Sequence, residues 1–91
     1  MLYGYAVKEL NEEGLLELRE VRFAASPEVL REIARFLAQM AELMENGGFA
    51  RCSHRHIGSV IHGWDKRFAG KDVIVMPPIG GKFLHETKIV R

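Results

Sequence analysis

The chain has 91 residues, of which 47% are apolar and 27% charged, and its formal net charge is +1. That is the composition of one globular domain spanning residues 1–91, too short for a second independent core and too apolar for a disordered chain. A net charge so close to zero excludes the global basic field of a dedicated nucleic-acid or membrane-surface binder.

The first strand signal is LYGYAVKEL, which alternates Tyr3, Tyr5 and Val7 against Gly4, Ala6 and Lys8. Asn11–Gly14 reads as a polar turn closed by glycine. The next run, LLELREVRFAA, breaks the two-residue period: Leu16 and Leu18 share one parity, Val21 and Phe23 the other. A bulge near Arg19–Glu20 restores the phase and brings both pairs onto one face of an antiparallel hairpin.

Ser26-Pro27-Glu28 predicts a helix start, with a hydroxyl cap, a preset φ at the first position and an acid at the positive end of the dipole. Leu30, Ile33, Leu37, Met40 and Met44 recur at three- and four-residue steps, and Val29, Phe36 and Leu43 widen the stripe. The helix should run about five turns, bury this stripe and end at Asn46-Gly47-Gly48. Residues 49–63 fit strand, loop or helix equally. DVIVMPP (72–78) reads as a buried strand stopped by two prolines, and KFLHETKIV (82–90) as a last strand after a glycine turn.

The order β-β-α-linker-β-β predicts an α+β two-layer sandwich, a mostly antiparallel sheet of four strands covered by one long helix. Free sheet edges make a homodimer the expected assembly.

Sequence motifs point away from catalysis. Gly70-Lys71 lacks the earlier glycine of a phosphate-binding loop, and Asp72 stands where a magnesium-holding hydroxyl belongs. Ser53 and Ser59 have no nucleophile-elbow context. Cys52, the single cysteine, excludes an internal disulfide, fits a reducing compartment, and has only His54 two residues away as a candidate base.

The segment RCSHRHIGSVIHGW (51–64) is where ligands concentrate. If it is extended, Cys52, His54 and His56 point to one side, a pattern that two or three ligands on zinc or another divalent ion would use. His62 is a conceivable fourth. The simpler alternative is imidazoles that hydrogen-bond at a sheet edge or face solvent. Trp64 reads either as a lid over the core or as an interface anchor. Beside it Arg51, Arg55, Lys66 and Arg67 form a candidate partner surface, and with Lys71 an unspecific RNA-binding patch.

Charge is unevenly divided. Residues 1–46 carry nine acidic and five basic side chains, net −4, and residues 47–91 three acidic and eight basic, net +5. Ordinary solvated surface accounts for this, while the functional alternative is a surface that meets a charged partner. The start MLYGYAVKEL lacks a signal-peptide pattern and no segment is apolar enough to span a membrane, so a cytoplasmic protein is expected.

The run LLELREVRFAASPEVLREIARFLAQMAELM, followed by His54-x-His56-Ile57 and DVIVMPP, resembles the immunity protein 32 family of bacterial polymorphic toxin systems. The resemblance implies a non-enzymatic, cytoplasmic α+β protein that binds and neutralises a toxin domain, with no catalytic residues to carry over. The expectation is therefore a small protein-binding module. The alternative is a metal-binding protein or metal-dependent enzyme using Cys52, His54 and His56.

Overall fold

A computed structural model describes residues 1–10, 14–49 and 53–78, with backbone only at 7–9. The turn at 11–13, Arg51, Cys52 and the strand expected at 82–90 lie outside the described residues. The chain forms two compact units, Met1–Arg31 and Glu32–Arg91.

In the first unit, β1 (Leu2–Leu10) pairs antiparallel with β2 (Leu16–Phe23). The register runs Leu2↔Phe23, Tyr3↔Arg22, Gly4↔Val21, Tyr5↔Glu20, then steps to Ala6↔Leu18. Arg19 is thus the extra residue of a bulge, where the clash of parities requires one. Beyond it Leu10 pairs with Leu16, so three residues of β1 span one of β2. Leu16, Leu18, Val21 and Phe23 consequently share a face with Leu2, Gly4 and Ala6, and Tyr3, Tyr5, Glu20 and Arg22 occupy the other.

Helix α1 (Pro27–Glu45) starts as its sequence directs. Ser26 Oγ accepts the Val29 N–H at 3.2 Å, and the Ser26 carbonyl accepts from Leu30 at 2.9 Å. Its end is a Schellman motif: the Gly47 N–H bonds the Met44 carbonyl at 3.0 Å and the Gly48 N–H the Leu43 carbonyl at 2.8 Å. Gly47 has φ 75°, the left-handed conformation this motif needs.

The second unit continues through β3 (Arg55–His56), a 3-10 turn (Ile57–Ser59), the short helix α2 (Trp64–Arg67) and β4 (Ile74–Val75). β3 pairs antiparallel with β4 through Arg55↔Val75 and His56↔Ile74, and the Ile57 N–H adds a bond to the Val73 carbonyl at 2.9 Å. The ambiguous stretch 49–63 is thus extended at 55–56 and helical at 57–59.

The α+β class stands, with one long helix and antiparallel pairing. The four-stranded sheet does not: the described residues form two separate two-stranded sheets, β1-β2 and β3-β4. Two features of the chain explain this. Pro77-Pro78 cut β4 short, since proline lacks the N–H a ladder needs, and residues 57–59 turn away from β3 at once. DVIVMPP is likewise not a buried strand, for Val73 and Val75 are half-buried and Ile74 is exposed.

Burial is as uneven as charge. The six buried hydrophobic residues among those described are Ile33, Phe36, Met40, Ile57, Ile61 and Trp64, all in the second unit. The helix stripe is therefore only half used. Ile33, Phe36 and Met40 are buried, while Leu30 and Leu37, one step around the helix, stay 40% and 43% exposed.

Candidate functional site

Three places gather side chains of chemical interest: the apolar hairpin face, the histidine pair His54 and His56 at the start of β3, and the cationic surroundings of α2.

On the hairpin, bulge and strand alternation set Leu16, Leu18, Val21 and Phe23 side by side, and they remain 48%, 51%, 53% and 38% exposed. Gly4 lies opposite Val21, and a Cβ there would stand 2.5 Å from the Glu20 carbonyl oxygen, so the close approach of the strands at the bulge requires glycine. The opposite face is aromatic and charged. Arg22 donates from Nε to Glu20 Oε1 at 2.7 Å and lies over the Tyr5 ring at 5.8 Å.

At the start of β3, extended backbone brings His54 and His56 to the same side, with ring centroids 5.0 Å apart and planes at 71°. His56 Nδ1 meets Asp72 Oδ2 at 2.6 Å, and the Ser59 hydroxyl donates to the His56 carbonyl at 2.7 Å. The antiparallel register carries Asp72, two residues before β4, back alongside His56. Both partners are exposed.

Around α2, Trp64 is wholly buried, packs on Phe68 at 4.5 Å between centroids, and donates its indole N–H to the Lys71 carbonyl at 3.0 Å. Arg67 donates from Nη2 to Glu32 Oε2 at 3.0 Å and stands 5.3 Å over the Phe68 ring. Arg55 lies 5.4 Å over Phe49.

No family model matches the chain, and neither does any curated protein or solved structure.

The structure distributes the residues that stand out in the sequence unevenly. His54 and His56 are brought together, and Cys52 lies outside the described residues. Among the described residues no three His, Cys, Asp or Glu side chains are placed to hold a metal ion, so His62 does not complete a set with them. Of the basic surface, Arg51 lies outside the described residues, and Arg55, Lys66 and Arg67 border Phe49 and α2. Trp64 is fully buried and is among the core residues. Sequence reasoning missed Asp72 as the partner of His56. No local signal marks a pair 16 residues apart, whose meeting depends on the β3-β4 register. No helix of the described residues is long and apolar enough to cross a membrane.

Proposed function

We propose that this protein is a non-catalytic protein-docking module that binds and neutralises a toxin domain through the bulged face of its hairpin. One observation carries the reading: Leu16, Leu18, Val21 and Phe23 form a contiguous apolar row, while every buried hydrophobic residue among those described belongs to the second unit. A two-stranded ribbon is marginal in water without cover on its apolar side, and an apolar patch of this kind on a small protein marks a docking surface. Residues 1–46, which include the hairpin, carry a net charge of −4, which favours a partner with a basic rim. The resemblance of this chain to toxin-immunity proteins points to the same class of partner.

Co-expression with toxin domains of polymorphic systems tests the reading. The expected result is a one-to-one complex by light scattering, restored growth, and loss of both in a Leu18→Glu, Val21→Glu double variant that keeps the far-UV spectrum of the parent. A toxin complex that forms equally well with the double variant overturns it. So does a concentration-dependent homodimer that the double variant abolishes, since a second copy would then be the cover. Hydrogen-exchange protection of β2 that disappears on removing residues 81–91 would assign the cover to the chain itself and overturn the reading as well.

A further inference from the structure

The His56–Asp72 contact has no role in the docking reading, and it has the form of an orienting pair. An imidazole whose Nδ1–H is held by a carboxylate has its tautomer and ring direction set, leaving the Nε2 lone pair free to act as a ligand. His54 stands on the same side of the extended segment, its ring centroid 5.0 Å away.

That distance can be compared with a shared metal ion. A metal–nitrogen bond of ~2.0–2.1 Å and an imidazole radius of about 1.1 Å put the metal ~3.2 Å from each centroid, so bond angles of ~90–110° separate the centroids by ~4.5–5.3 Å. The observed spacing lies inside that window, so with His56 held by Asp72 it is the His54 ring that must turn. His54 is exposed and has room to do so. Arg55, between them in sequence, is drawn to the Phe49 ring.

The geometry points to a two-imidazole site for a divalent transition-metal ion, with His54 and His56 as ligands through ring nitrogens, water completing the coordination, and Asp72 as the positioning residue that holds His56 by Nδ1. The site needs neither Cys52 nor His62. Imidazole ligation selects ions of the zinc, nickel and copper type over calcium or magnesium, which prefer oxygen.

The test uses the full chain with Cys52→Ser, so that no thiolate supplies a ligand, and Zn2+ alone as the probe. Long-range 1H–15N spectra of the imidazoles, followed through a titration that is also run by calorimetry, should show a single saturable equivalent. The His54 and His56 ring nitrogens should shift together, while those of His62 and His85 stay in place. Before metal is added, His56 should show the Nδ1–H tautomer, and Asp72→Asn should redistribute it and weaken Zn2+ binding by about 10–100-fold, the usual effect of losing an outer-shell carboxylate. His54→Gln should abolish the joint shift with an unchanged metal-free melt. Non-saturable binding, a response led by His62 or His85, or an Asp72→Asn variant with parental affinity and tautomer overturns the proposal. Each of these outcomes is independent of the toxin-binding test, which touches only the hairpin.

Discussion

Trp64 and Lys71 hold the second unit together from the inside: the indole Nε1–H reaches the Lys71 carbonyl at 3.0 Å from a ring with no exposed surface. Seven residues apart in sequence, the two close the loop between α2 and β4 over the largest side chain of the core. Trp64→Ala should therefore cost about 3–5 kcal/mol, from lost transfer energy and the cavity left behind. Trp64→Phe keeps most of the apolar surface but strands the carbonyl, and should cost an additional penalty of about 1–3 kcal/mol beyond the volume change. Urea denaturation of both variants checks the order. A Trp64→Phe variant as stable as the parent would show that water replaces the indole without loss.

Glu32 and Arg67 form an unequal pair. Glu32 Oε1 is buried and has no hydrogen-bond partner among the described residues, and Oε2 relies on Arg67, whose own side chain is 38% exposed and also rests over Phe68. Removing the arginine leaves a half-buried carboxylate unpaired. Removing the glutamate leaves an arginine that water and the ring can still satisfy. Arg67→Ala should thus cost about 1–3 kcal/mol and Glu32→Ala less than about 1 kcal/mol. Equal losses, or the reverse order, in paired denaturation curves would refute this asymmetry.

The caps of α1 should separate backbone strain from steric conflict. A Cβ at Gly47 meets nothing within 4 Å, so Gly47→Ala should lose only the left-handed preference, about 1 kcal/mol. A Cβ at Gly48 would run into the Leu43 side chain, so Gly48→Ala adds repacking at the helix end and should be the worse of the two. Ser26→Ala at the other end should cost about 1 kcal/mol. Thermal melts of the three single variants measure the series.

At the hairpin, Gly4→Ala would drive a methyl against the Glu20 carbonyl and loosen the pairing beside the bulge. Faster amide exchange in β1 and β2, with exchange in α2 unchanged, is the expected pattern, because the two lie in different compact units. Deleting Arg19 should remove the bulge and leave a regular ladder in which Leu16 and Leu18 stay on the face of Val21 and Phe23, Leu18 still opposite Ala6. Cross-strand NMR contacts between Ala6 and Leu18 should persist in the deletion variant, and new contacts between Tyr5 and Leu18 on the other face would contradict the assigned bulge.

Local chemistry made much of the architecture readable from residues alone. Ser26-Pro27-Glu28 and Asn46-Gly47-Gly48 delimit a helix because capping and left-handed backbone are properties of a few neighbouring residues. The bulge at Arg19 was legible for a similar reason: two apolar pairs of opposite parity have one inexpensive solution in a strand. What the sequence could not settle are relations between distant residues. Which half of the helix stripe is buried depends on what the rest of the fold brings against it, and hydrophobic burial has no direction of its own to write into the pattern. Whether β-type runs join one sheet or two depends on backbone pairing between segments, and only the tertiary structure decided for two. The same pairing, acting across 16 residues, made Asp72 the partner of His56, because a register is fixed by hydrogen bonds between strands and not by the residues of either strand alone.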